Sequence, residues 1–282
     1  MSKNKGSSPR GAEGFEEYYS SIFAERWQAL KAALLKESEP KAFKAQEGAA
    51  YFLDAASVLA AISLPLENAQ NILDMCAAPG GKSLVLASRM ERGASLRCNE
   101  RSFDRFQRLK KVVAENFPAA ARERVQLSCG DGALLCKKED VFYDAILLDA
   151  PCSSERHVLN DPKYLAEWSP ARVKSLAMQQ WALLSSAYRI LKAGGHLLYS
   201  TCALNQAENE GVAERLLKKF PEARALSAQE LLAAQEKGRE EIKAFFDLSA
   251  LPKFEEKALG FSILPDKQGG AGPIYFCLFQ KG

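Results

Sequence analysis

The chain has 282 residues, 47% hydrophobic and 26% charged, a composition that argues against a disordered polypeptide and suits one large α/β domain with a small appendage. Its net charge of +3 is compatible with a polyanionic partner without requiring one. No apolar run approaches the roughly 18 residues of a membrane span, and seven cysteines without a C-x-x-C pair, beside two histidines, argue against a bound metal.

An odd cysteine count without a secretory leader points to a reducing compartment where thiols stay free. The start MSKNKGSSPRG is basic but lacks the apolar stripe of a transit helix, so a soluble cytoplasmic protein is expected, with the mitochondrial matrix as the alternative.

In chain order, residues 1–14 are expected to form a disordered basic tail and 15–48 a helical extension. Phe23, Trp27, Leu30 and Leu34 recur there at helical spacing before Pro40, with Lys31, Lys36, Lys41 and Lys44 read as a solvated face, a nucleic-acid surface being the alternative. Residues 49–282 form the main domain. From Asn71, short apolar runs alternate with amphipathic helices: NILDM, a helix from about Ser83, LRCNE, a helix opened by Ser102, then RVQLS, YDAILLD and GGHLLYS. This rhythm predicts a parallel sheet covered on both faces.

The helix before GGHLLYS starts at the cap pair Ser169-Pro170 and is expected to stop at Gly194-Gly195. Gln229–Lys257 reads as a helical excursion, and GFSILP with PIYFCLF as a closing antiparallel hairpin. The layout is that of a Rossmann-like methyltransferase, with a mostly parallel seven-stranded sheet.

Ligands of open α/β sheets sit beyond the carboxyl ends of the strands. The first run ends at Asp74, followed by Cys76, Ala77, Ala78, Pro79, Gly80, Gly81 and Lys82; the glycines let backbone pass under a ligand, and the next helix presents free N–H groups. Glu100 ends the second run and suits the hydroxyls of a ribose. Asp131 and Gly132 follow the third, where the acid suits an adenine amino group and the glycine avoids its ring. Acids at three strand ends fit S-adenosyl-L-methionine better than a phosphate-rich cofactor.

The fourth run closes Asp149-Ala150-Pro151-Cys152 and the fifth Ser200-Thr201-Cys202. If the two strands are neighbours, about 5 Å apart, both thiols overlie one pocket. Packing suffices for Cys98, Cys129, Cys136 and Cys277.

CAAPGGK, DAPCS and YSTC followed by ENE, in that order, closely resemble the signatures of the Nop2/Sun (RsmB-like) family of RNA cytosine-5 methyltransferases. The resemblance runs from about Phe15 to the C-terminus. YYSSIFAERWQALKAALL, the ERH after the cysteine and GPIYFCLF are most similar to the branch containing the mitochondrial rRNA enzyme and its bacterial relatives, as is Ser153-Ser154-Glu155-Arg156 where much of the family has SGxG. The larger N-terminal RNA-binding module and C-terminal PUA-type domain of some relatives are not expected.

The resemblance implies that Gly80, Gly81 and Lys82 hold the methionine end of the cofactor and Glu100 its ribose, with Arg105 in support. Asp131 and Gly132 would face adenine, and Asp149 would sit between cofactor and target base. Cys202 becomes the nucleophile and Cys152 the residue that releases product, although cytosine-5 enzymes acting on DNA attack with the proline-cysteine thiol. The residue types suit the chemistry: carbon 5 of cytosine becomes nucleophilic only after a thiolate adds at carbon 6, and a base must then remove the carbon 5 proton.

His157 is expected either to help Arg156 contact RNA phosphate or to be structural; Arg108, Lys110 and Lys111 are read as solvated. A monomer acting on single-stranded or locally opened rRNA is expected, with the ribosomal subunit or an accessory protein as possible partners. The alternatives are a tRNA substrate or a ribosome-assembly factor with little turnover.

Overall fold

Apolar residues at helical spacing in the first described segment build two helices, α1 (Gly11–Phe23) and α2 (Trp27–Leu35), joined by a 3-10 turn. The structure, a computed structural model, describes residues 10–46, 49–138 and 142–282; residues 1–9 of the expected tail lie outside them. Helix α1 starts earlier than the sequence suggests because the Gly11 N–H donates to the Trp168 carbonyl, 2.9 Å away. Phe15, Tyr19 and Trp27 are buried around Trp168, with the Phe15 and Trp168 rings edge to face at 5.5 Å. The extension is not wholly helical: β1 (Lys41–Gln46) and β2 (Ala49–Leu53) pair antiparallel, Phe43 opposite Tyr51.

Asp54 caps α3 (Ala55–Ile62), accepting from the Ala56 N–H at 2.7 Å. Then follow β3 (Asn71–Asp74), α4 (Gly81–Arg89), β4 (Ser95–Glu100), α5 (Phe103–Asn116), the short α6 (Ala119–Arg122) and β5 (Val125–Cys129). A turn leads to α7 (Leu135–Lys138), β6 (Tyr143–Asp149), the short α8 (Glu155–Asn160) and α9 (Pro162–Ala166), and the long α10 (Pro170–Arg189). The last part holds β7 (Leu191–Thr201), α11 (Glu210–Lys219), β8 (Ala223–Ala225), α12 (Ala228–Ile242), β9 (Glu255–Glu256), β10 (Phe261–Ile263) and β11 (Ile274–Lys281).

The sheet order is β5-β4-β3-β6-β7-β11-β10-β9, with β8 on β11. Strands β5 to β7 are parallel, while β11 runs antiparallel to β7 and β10 to β11, so the expected seven strands are present with two short additions. Alternation divides the core. Ile72, Ala145, Leu147, Leu198, Phe276 and Leu278 pack under one helical layer, and Leu73, Ile146, Leu148, Leu197, Cys277 and Phe279 under the other.

Helix α10 does not run to Gly194-Gly195. It ends at Arg189, and the glycines lie inside β7 at a register shift between Tyr143 and Ala145 of β6. Gly194 takes φ +76°, and a Cβ on Gly195 would lie 2.9 Å from the Asp144 carbonyl oxygen, so both serve strand geometry rather than a helix cap. Of the four cysteines assigned to packing, Cys98 and Cys277 are buried and Cys136 is half-buried, whereas Cys129 is exposed at the end of β5.

Candidate active site

The chain leaves β3 for β4 on one side and reaches β6 on the other, so the crevice beyond β3 and β6 is the topological switch point where open sheets bind ligands. Two adjoining cavities open there, of about 730 and 240 Å3, and both are lined by Ser57, Lys82 and Asp149. The smaller is also walled by Asp74, Cys76, Ala77, Ala78, Pro79 and Gly81, and roofed by Tyr51, Phe52 and Leu53 of the hairpin. Cys152, Cys202, Arg105 and His157 line the larger.

The turn after β3 works through backbone. Gly80 takes φ +122°, and a Cβ there would come within 3.0 Å of Val112; one on Gly81 would come within 3.0 Å of the Tyr51 ring. Lys82, on the first turn of α4, donates from Nζ to Asp149 Oδ2 at 2.7 Å and to Ser57 Oγ at 3.3 Å, while Ser200 Oγ donates to Asp149 Oδ1 at 2.8 Å. Burial works against the Lys82 ammonium, but Asp149, Cys202 and Asp74 outweigh it and hold its pKa above the usual lysine range.

Glu100 Oε1 accepts from the Ser102 N–H at 2.8 Å. Its Oε2 is buried without a hydrogen bond, as is Oδ1 of Asp74. Arg105 Nη1 lies 3.7 Å from Glu100 Oε2, and its Nη2 donates to the Ala78 carbonyl at 2.6 Å, tying α5 to the glycine turn. Two orphaned carboxylate oxygens at adjacent strand ends fit a ligand rich in hydroxyl and ammonium donors, as S-adenosyl-L-methionine is, and would repel a phosphate.

Asp131 caps the turn after β5 by accepting from the Ala133 N–H at 3.0 Å. At Gly132 a Cβ would lie 2.8 Å from Met75 Cγ and 3.0 Å from Leu183 Cδ2, so packing by itself disfavours a side chain there. Gly80, Glu100, Asp131 and Gly132 line neither cavity.

The two thiols meet. Residues Asp149 and Ser200 are register partners on adjacent parallel strands, and just beyond them Cys152 Sγ lies 2.8 Å from Cys202 Sγ. The Cys202 N–H donates to Cys152 Sγ at 3.3 Å, and Ser154 Oγ is 3.1 Å from Cys202 Sγ. Contact with Cys202, then burial, then the nearby Glu208 and Glu155 raise the Cys152 pKa far above the usual thiol value. Cys152 is therefore held as a thiol.

Arg156 lines the larger cavity and is held there by backbone carbonyls: Nη1 donates to that of Lys36 at 2.9 Å and Nη2 to those of Gly270 and Gly272 at 2.9 and 2.8 Å. Beside it, exposed His157 packs against Tyr164 with ring centroids 4.8 Å apart and the rings tilted by 50°. Among the lysines read as solvated, Lys31 pairs with Glu16 and Lys41 with Glu39. Tyr51 to Asp54, Ser57, and Gly272 to Ile274 were not singled out from sequence. The hairpin could have been, from two short runs, KAFKAQ and AAYFL, the second rich in aromatic and apolar residues, on either side of Glu47-Gly48.

The profile of the family described as 16S rRNA methyltransferase RsmB/F matches residues 61–263. The chain belongs to this family. Among its relatives, the mitochondrial tRNA (cytosine(34)-C(5))-methyltransferase of Danio rerio is 33% identical over 233 residues, 82% of this chain and 60% of that one. The 5-cytosine rRNA methyltransferase NSUN4 of Xenopus laevis is 32% identical over 80% of this chain and 55% of its own, and ribosomal RNA small subunit methyltransferase F of Escherichia coli 38% over 62% and 36%. The chain thus spans from about a third to three fifths of these relatives' lengths.

Two solved structures share the fold. A methyltransferase homolog protein from Pyrococcus horikoshii superposes with TM-score 0.69 at 19% identity, covering 95% of this chain and 94% of that one. NSun6 from the same organism gives 0.60 at 22% identity, over 83% and 54%. The architecture is the Rossmann-like one of S-adenosyl-L-methionine-dependent methyltransferases, and the members of the family are RNA methyltransferases. Among the described residues there is no cluster of metal ligands and no helix long and apolar enough to cross a membrane.

Proposed function

We propose that this protein transfers a methyl group to carbon 5 of a cytosine in RNA, with ribosomal RNA as the substrate. The observation that carries the reading is the contact of Cys152 with Cys202 in the wall of the larger cavity, which also holds the Lys82–Asp149 pair common to both cavities. A factor that only bound RNA would have no chemical use for either thiol. The family description and two of the three relatives name ribosomal RNA; the Danio rerio relative, named for tRNA, supports tRNA as the second reading. Cytoplasm or mitochondrial matrix would keep both thiols reduced.

Bound in the smaller cavity, S-adenosyl-L-methionine supplies the electrophilic methyl group. Asp74, Cys76, Ala77, Ala78, Pro79 and Gly81, which line that cavity, would hold it, and Glu100, outside the lining at the end of the adjacent strand β4, is assigned its ribose. In the larger cavity Cys202 adds as thiolate to carbon 6 of the base, with the cationic Lys82 nearby favouring its charge. Asp149, held by Lys82 and Ser200, takes the proton released as the Cys202 thiol becomes a thiolate and passes it to ring nitrogen 3, offsetting the charge that builds there. Once Cys202 is a thioether it bears no charge, so the chief influence raising the Cys152 pKa disappears. Cys152, its own proton released to solvent through the open larger cavity, takes the carbon 5 proton as a thiolate, the C5–C6 double bond re-forms and the C6–S bond breaks, freeing Cys202.

The test is a pair of substitutions. Cys202→Ala should abolish methylation while retaining cofactor binding, and Cys152→Ala should accumulate a protein–RNA adduct stable to denaturing electrophoresis. An active Cys202→Ala enzyme, or no adduct from Cys152→Ala on a methylatable RNA, overturns the assignment. Bisulfite sequencing of RNA from a deletion strain separates the rRNA and tRNA readings.

A further inference from the structure

Behind the thiols lies a second group of ionisable side chains that the reaction scheme leaves unused. Glu155 and Glu208 are both fully buried, although glutamate is seldom buried without a paired charge. Among the described residues neither forms an ion pair with a lysine or arginine; hydrogen bonds alone satisfy them. Glu155 Oε1 accepts from the Tyr19 hydroxyl, from Ser153 Oγ at 2.5 Å and from Asn205 Nδ2 at 3.3 Å, and its Oε2 accepts from the Leu204 N–H at 3.1 Å. Glu208 Oε2 accepts from the Ser153 N–H at 2.9 Å and Gln180 Nε2 at 2.7 Å, and Asn205 Nδ2 bridges to its Oε1 at 2.7 Å.

These bonds converge on the residues next to the thiols. Ser153 follows Cys152 and gives its N–H to one carboxyl and its hydroxyl to the other; Leu204 and Asn205 follow Cys202 at a distance of two and three residues. The third strand of the junction is α1, through Tyr19, whose ring is buried against Phe15, Trp27 and Trp168. An element 136 residues away in sequence thus reaches the shell behind the catalytic loops.

We propose that Glu155 is a positioning residue for Cys152 and Cys202, joining the docked helix α1, the Cys152 turn and the Cys202 loop through one buried carboxyl, so that seating of α1 sets the thiol–thiol geometry. This rests on the reading of the two cysteines given above. It makes the N-terminal helices part of the active site although none of their residues lines either cavity. Burial and then Glu208 push the Glu155 pKa up to about 7. The groups that face Glu155 are Tyr18 and Tyr19 from α1, Cys152 from the turn after β6, and Glu208 from the segment after β7.

The test uses the full chain with Tyr19→Phe, Glu155→Gln and Glu155→Ala. Tyr19→Phe removes one hydroxyl and keeps the ring cluster, so it reports on the junction even if Glu155→Ala fails to fold. Alkylation of Cys152 and Cys202 by iodoacetamide is followed by mass spectrometry without RNA or cofactor, and kcat with the KM for S-adenosyl-L-methionine on a methylatable RNA. The expected result for Tyr19→Phe is a changed alkylation rate at both thiols and a kcat lowered about tenfold, with the cofactor KM within about twofold of wild type. Glu155→Gln should recover part of the loss seen in Glu155→Ala and should flatten the pH dependence of kcat around neutrality. Wild-type alkylation rates and kcat in both Tyr19→Phe and Glu155→Gln overturn the proposal. The alkylation rates decide it even if Cys202→Ala proves active and the catalytic assignment falls.

Discussion

Lys82 Nζ sits 2.7 Å from Asp149 Oδ2, an ion pair that closes across 67 residues of sequence and joins the glycine turn after β3 to the end of β6. It fixes the side chain that both cavities share. Lys82→Met keeps the length of the stem and removes the charge. We expect kcat/KM for RNA methylation to fall on the order of 100-fold, as when one preorganised electrostatic donor is deleted. Radiolabelled methyl incorporation measures it, and a variant within twofold of wild type would contradict the role of the pair.

Glu100→Gln addresses the orphaned Oε2. The amide preserves shape but replaces a carboxylate acceptor, and hydrogen bonds to charged groups contribute about 1.5–3 kcal/mol. Affinity for S-adenosylhomocysteine, read by titration calorimetry, should weaken about 10- to 100-fold. An unchanged Kd would remove Glu100 from the cofactor site.

Gly80→Ala tests the turn itself. Its φ of +122° and the 3.0 Å approach to Val112 Cγ1 penalise a side chain twice, and strained non-glycine backbone costs on the order of 1–3 kcal/mol. Thermal denaturation should show a Tm lower by about 2–10 °C, with cofactor affinity reduced as well. An alanine variant as stable as wild type would show that the turn tolerates another conformation.

Stability should depend on pH through Asp74 and Glu155. Burial lifts each to about 7, above the ordinary carboxyl range, so the folded state binds more protons than the unfolded one between about pH 4 and 7. Their contribution is therefore complete below about pH 4 and is lost as the pH rises through 7, by up to about 1.4 kcal/mol per pH unit for each group. In cofactor-free protein, denaturant midpoints should fall between pH 5.5 and 7.5, and less steeply in Asp74→Asn or Glu155→Gln. Identical slopes in all three proteins would mean that these carboxyls ionise normally.

The sheet and its ligand end were legible because each depends on local pattern. YDAILLD and GGHLLYS are apolar on both faces, as strands buried between two helical layers must be. CAAPGGK and the acids at 74, 100, 131 and 149 mark the strand ends. The end of α10 was misplaced because glycines that cap helices also permit strand irregularities, and only the pairing of β6 with β7 distinguishes the two uses. The charge of Arg156 was legible in the sequence, but not the carbonyls of Lys36, Gly270 and Gly272 that hold its guanidinium.

By itself the sequence determined the alternation of strands and helices from Asn71 onward, the cysteines worth attention and the family that their motifs resemble, because hydrophobic period, turn chemistry and short motifs are properties of neighbouring residues. Tertiary structure alone decided that Cys152 and Cys202 touch, that Lys82 meets Asp149, and that Tyr19 reaches Glu155 behind them. Each of these contacts joins segments 50 to 136 residues apart. Their distances follow from strand register and from the packing of α1 on Trp168, neither of which is written in any one stretch of the chain.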